Sequence, residues 1–198
     1  MQTLQIGVQT RSLGQPLKKA LRTAAQLGAN GVEIDLRTEL PPAELSQTAL
    51  REIRRLLENL GLRVSAAAFP TRGGYGEAEN LDRRVQATAQ ALQAAYQLGT
   101  NVVVNRVGPI PEDTTDPAFG RLVESLTLIG ATGERVGARL AAQAGADGGA
   151  ELATLLDALP AEAIGVDLHP ASLIVNGHDV AETIDQIGSS VVHVHACD

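Results

Sequence analysis

The chain has 198 residues, 44% of them apolar and 20% charged, which predicts one domain over 1–198 with enough sequence for a full core. A net charge of -7 with 2% aromatics argues against a basic, base-stacking nucleic-acid surface. No run approaches about 18 apolar residues and the N-terminus lacks a basic stretch followed by an apolar one, so neither a membrane span nor secretion is expected.

Short β-branched runs start near Leu4, Gly31, Leu62, Asn101, Ala138, Ile164 and Ser190 and alternate with helical stretches, the pattern of repeated βα units. After the first run, the turn over 9–16 has no GxGxxG fingerprint, so no nucleotide cofactor is expected. Leu17, Ala20, Leu21, Ala24 and Ala25 then recur at helical spacing before Gly28. In the second strand, period two turns Val32 and Ile34 toward helices and Glu33 and Asp35 inward. Leu50, Ile53, Leu57 and Leu60 form the next helical face and stop at Gly61. The loop after strand three, Pro70-Thr71-Arg72-Gly73-Gly74-Tyr75-Gly76, has the glycine content of a lid and one cation suited to an anionic substrate group. A third helix carries Val85, Ala89, Leu92, Ala95 and Leu98 and stops at Gly99. Asn105 and Arg106 close strand four, and Gln143 closes strand five. Two further helices follow these strands, one of them running into Gly130, Gly133 and Gly137 and the other ending at Pro160.

All four histidines fall between 169 and 195. Strand six, Gly165-Val166-Asp167-Leu168-His169, puts Asp167 and His169 on one face, and strand seven, Val191-Val192-His193-Val194-His195, does the same for His193 and His195. Parallel strands lie about 4.8 Å apart, so these side chains can converge into a donor set for a divalent cation. His193 sits one layer deeper and reads as structural, while His178 belongs to a turn in which Asp179 caps the last helix. Polar inward residues on parallel strands suit a TIM-type (β/α) barrel, whose site lies at the C-terminal strand ends.

These motifs resemble the sugar phosphate isomerase/epimerase family, the xylose isomerase-like TIM barrels that also include the apurinic-site endonuclease branch. The resemblance rests on Ala29-Asn30-Gly31-Val32-Glu33-Ile34, on 98–103, on 141–145 and most specifically on Val192-His193-Val194-His195-Ala196-Cys197-Asp198. It implies a divalent metal held by glutamate, aspartate, histidine and glutamate from strands five to eight. Here Gln143-Ala144-Gly145 stands at the first position, His169-Pro170-Ala171-Ser172 matches the second with His169 at the aspartate, and His195 matches the third. The resemblance thus implies Gln143, His169 and His195 as metal ligands and Asp198 and Asp167 as candidate catalytic carboxylates. Arg72, Asn105, Arg106 and Ser172 are the expected substrate-binding residues. Without carboxylates, the ligand set favours Zn²⁺ over Mn²⁺ or Mg²⁺.

The expected activity is isomerisation or epimerisation of a sugar or sugar phosphate by metal-assisted proton transfer next to a carbonyl. The alternative is a degenerate relative that binds a small polyol or a protein partner without turnover, as the Gln143 and His169 replacements suggest. Cleavage of damaged DNA is opposed by the acidic charge. The single cysteine, Cys197, fits a cytoplasmic protein. A complete barrel takes eight strands and about 250 residues, whereas seven strands are read here. The barrel is therefore expected to be incomplete at its C-terminal end, with a gap between the first and seventh strands. Its open edges invite closure by another segment or pairing in a homo-oligomer.

Overall fold

The computed structural model describes residues 6–196. Seven parallel strands, β1 (Gly7–Gln9), β2 (Gly31–Asp35), β3 (Arg63–Ala68), β4 (Val102–Asn105), β5 (Arg139–Gln143), β6 (Gly165–Leu168) and β7 (Val191–Val194), pair in chain order. They curl into an incomplete barrel surrounded by helices. Those helices are α1 (Leu17–Gln26), α2 (Gln47–Leu60), α3 (Leu81–Leu98), α4 (Pro117–Val136), α5 (Gly149–Asp157), α6 (Pro170–Val175) and α7 (Val180–Ile187). The helical faces expected from three-and-four spacing are the buried ones, for example Leu50, Ile53 and Leu57 in α2. Gly61 and Gly99 end α2 and α3 with φ of 66° and 91°, the left-handed backbone for which glycine lacks the Cβ penalty. Asp179 caps α7 by accepting the Glu182 N–H at 2.9 Å. One element was not expected: α6, a short helix opened by Pro170 at its first turn and capped by His169.

The main core lies between sheet and helices, where Val32, Ile34, Val103, Leu140 and Val166 meet Leu21, Leu92, Leu126 and Leu155. A smaller apolar cluster, Ala66, Val102, Val104 and Ala141, comes from the other face of the same strands and fills part of the barrel interior. Two strands break the period-two rule to maintain this division. In β3 the register passes from Val32↔Val64 to Glu33↔Ala66, so Ser65 is an extra residue. In β7 it passes from Val166↔Val191 to Asp167↔His193, so Val192 is the extra one.

The loop after β3 is pinned to the body of the protein. The buried Arg84 guanidinium of α3 donates to the carbonyls of Arg72, Gly74, Glu77 and Glu79 at 2.7–3.3 Å. Gly74 lies against Gly108 of the next loop so closely that a Cβ on either would meet the other's backbone, and the Tyr75 N–H donates to Val107 O. Among the described residues, β1 and β7 do not pair with each other, which is the expected gap. No helix among these residues is long and apolar enough to cross a membrane. The expected first-strand start at Leu4, and both Cys197 and Asp198, lie outside the described residues.

Candidate metal centre

Asp167 sits at the middle of β6 with no exposed surface, opposite His193 in the β7 register. Its two carboxylate oxygens take one imidazole each: Oδ1 lies 2.8 Å from His193 Nδ1 and Oδ2 lies 2.7 Å from His195 Nδ1. The extra residue Val192 brings these histidines onto the inner face. Val191 packs on the outer core, so strict alternation from it would send both imidazoles toward the helices.

The sheet's curl brings β2 to the same point from the far side. Glu33, 4% exposed, places Oε2 at 2.7 Å from His195 Nε2, while its Oε1 accepts from Gln9 Nε2 at 2.8 Å. The Glu33 to His195 contact is an ion pair by distance, yet neither atom makes a hydrogen bond, so the ring N–H and the carboxylate oxygen are poorly aligned. Asp167, first by its hydrogen bond, and Glu33 together push the His195 imidazole pKa up to about 10. Burial works to raise the Asp167 carboxyl, but the hydrogen bonds from His193 and His195 outweigh it and hold the group below its ordinary value.

Glu33, His193 and His195 each offer a donor atom within 4.8 Å of the others, so these three could hold a metal ion. The fit has chemical support. Asp167 occupies Nδ1 of both rings, the usual way a carboxylate orients metal-binding imidazoles, which leaves Nε2 of each. Glu33 Oε2 and His195 Nε2 are buried and face each other at 2.7 Å without an aligned hydrogen bond, two donor atoms that a cation would take up together.

Of the ligands expected from sequence, His195 is in this group. Gln143 borders it, donating to Asp167 Oδ2 at a long 3.4 Å and accepting from Arg106 Nε at 3.0 Å. His169 stands with its ring centre 5.7 Å from that of His195, and its Nδ1 accepts the Ser172 N–H at 3.2 Å to cap α6. Arg106 and Arg72 are exposed on the rim formed by the loops after β4 and β3. Asn105 is 2% exposed and turned away from the cluster: it donates to Tyr75 Oη at 2.7 Å and accepts the Thr71 N–H at 3.1 Å. Sequence reasoning did not single out Glu33 as a ligand and read His193 as structural. The signal for Glu33 was a carboxylate at an inward position of β2, a signal it shares with Asp35.

The family model described as xylose isomerase-like TIM barrel matches residues 21–198. No curated protein matches the chain. Among solved structures, the chain is similar to a xylose isomerase domain protein from Planctomyces limnophilus, with TM-score 0.78 and 16% identity over 88% of this chain and 66% of that one. It is also similar to the 3-keto-D-glucoside 4-epimerase from E. coli, with TM-score 0.81 and 15% identity over 99% and 80%. A third likeness is to the D-psicose 3-epimerase from Clostridium cellulolyticum H10, with TM-score 0.81 and 15% identity over 97% and 72%. The chain thus spans about two thirds of the length of the first of these and 72–80% of the other two.

Proposed function

Because the chain belongs to the xylose isomerase-like TIM barrel family, we propose that its barrel mouth acts on a sugar or sugar phosphate as an isomerase or epimerase. The observation that carries this reading is the buried, unaligned pair Glu33 Oε2 and His195 Nε2, with His193 beside it, at the inner face of the mouth. Two imidazoles and one carboxylate favour Zn²⁺ over Mg²⁺ or Mn²⁺ and leave a position for substrate. When bound, such an ion polarises a carbonyl and acidifies the neighbouring C–H. Asp167 holds both imidazoles in the tautomer with Nε2 toward the mouth, and its saturation by two rings makes it a positioning group. Gln143 and Arg106, joined at 3.0 Å, orient substrate hydroxyls from the rim. His169 is held with Nδ1 accepting from Ser172, which fixes its proton on Nε2, and Ser172 anchors that side of the mouth. The proton acceptor in this reading is Asp198, beyond the described residues. The single cysteine supports a cytoplasmic setting.

A second reading, a binding protein for a small polyol or a protein partner without turnover, is favoured by the same imidazole. His195 already lies between two carboxylates, so the cluster can be complete as an ion-pair network. Elemental analysis of the purified protein separates the two. Close to one zinc per chain, lost in His195→Ala and Glu33→Gln, is expected if the metal reading holds. A metal-free protein that still takes up no added zinc, together with no turnover across keto sugars and their phosphates, leaves the binding-protein reading. Stoichiometric Mn²⁺ or Mg²⁺ would overturn the zinc preference.

A further inference from the structure

The loops after β3 and β4 are zipped together at the rim, and each presents an exposed arginine beside the zip. The Thr71 N–H and hydroxyl both reach Asn105 Oδ1, at 3.1 and 3.3 Å, and the residues immediately following them are Arg72 and Arg106. Two exposed arginines thus sit one residue beyond a shared hydrogen bond, on neighbouring rim loops. Arg106 spends Nε on Gln143 and makes no other side-chain hydrogen bond among the described residues, so its terminal nitrogens are free to donate. Gln143 in turn reaches Asp167, which holds both site imidazoles. Arg72 has no side-chain partner among the described residues, while its backbone is fixed by Arg84. A third guanidinium, Arg37 from the loop after β2, is tied to the Pro70 carbonyl at 2.7 Å, two residues from Arg72. None of the three has a carboxylate partner among the described ion pairs, although acidic residues outnumber basic ones by 23 to 16 in this chain.

The planar fork of a guanidinium matches the oxygens of a phosphate or carboxylate, to which it donates two parallel hydrogen bonds. We propose that the rim bearing Arg72 and Arg106, with Arg37 behind them, is an anion subsite, so that the substrate carries a phosphate or carboxylate at the end remote from its reacting carbonyl. This deepens the sugar reading above and rests on it. The anion at the rim and the carbonyl at Glu33, His193 and His195 would fix the two ends of one extended molecule, and an uncharged sugar would be held at one end only.

The test uses three keto-hexoses that differ only at carbon six: D-fructose, D-fructose 6-phosphate and D-fructuronate. Each is titrated by calorimetry into the zinc-loaded wild-type chain, into Arg72→Gln/Arg106→Gln, and into Arg135→Gln as a charge control on α4. The expected result is that at least one of the two anionic compounds binds wild type at least about tenfold more tightly than fructose. That advantage should vanish in the double variant and persist in the control. Which anion gains more identifies the group as phosphate or carboxylate. Equal binding of all three overturns the anion subsite while leaving the sugar reading intact. An advantage that survives in the double variant overturns the arginine assignment. Binding of none of the three removes the sugar reading and the subsite with it. Circular dichroism of the variants is expected to match wild type, because both side chains are exposed.

Discussion

Asp167 decides what the two strand-seven histidines can do. A carboxylate with both oxygens donated to by imidazoles keeps both Nδ1 atoms committed and both rings oriented. Replacing it with asparagine, Asp167→Asn, keeps the shape but leaves one ring facing an amide nitrogen that cannot accept. Zinc affinity is expected to fall about 10–100-fold, as when other orienting groups behind metal ligands are removed, and a competition titration with a chromogenic chelator measures it. Unchanged affinity would mean that the imidazoles are oriented by something else. That His193 and His195 share a face was legible in the sequence from period two, but their meeting with Asp167 depends on the extra residue Val192. The contribution of Glu33 was not. It comes from β2, and only the curvature of the whole sheet carries it to His195. Asn105 shows the opposite limit. Its place at a strand end marks it as a rim residue, but the alternation that makes Val104 face inward turns Asn105 to the outside and under the loop.

At the scale of elements, strands and helices follow apolar periodicity closely because each βα unit buries its own stripe. The bulges at Ser65 and Val192 were not legible, since an inserted residue changes no composition and shows only when neighbouring strands are in register. The loop after β3 also differs from its sequence reading. Its glycines suggest a lid, yet Gly74 serves to let the loop lie against Gly108, and Arg84 satisfies four of its carbonyls from beneath. Arg84 sits in the first turns of α3, where a solvent-facing basic residue would look the same in sequence. Substituting a similar volume without donors, Arg84→Met, leaves carbonyls short of partners and is expected to cost about 2–4 kcal/mol. Urea unfolding gives the loss, and limited proteolysis should show new cleavage within 72–79. A stable variant with no new cleavage would show that other contacts hold the loop.

At the scale of the molecule, the charged cluster ties stability to pH. His195 holds its proton up to about 10 in the folded chain against 6.5 when free, so its contribution is whole below pH 6.5 and drains away as pH rises toward 10. Asp167 is lowered from 3.8, so its contribution is whole above 3.8 and is lost as pH falls through its folded value. Chelator-treated protein should therefore gain most from this cluster between pH 3.8 and 6.5. Thermal melts across pH 3–10 would show a maximum there that flattens in His195→Ala. The same cluster has a mechanical meaning. Backbone hydrogen bonds run from each strand to the next but do not join β1 to β7 among the described residues, so the ladder alone leaves the bend of the sheet free to relax. Glu33 and His195 reach across that bend, with Gln9 of the edge strand fastened behind Glu33. Among the described residues the sheet is in this respect a flexed leaf with a cross-tie of side chains. Whatever occupies the mouth, a proton or a metal ion, also sets how tightly the leaf is drawn, and occupancy and curvature become one equilibrium.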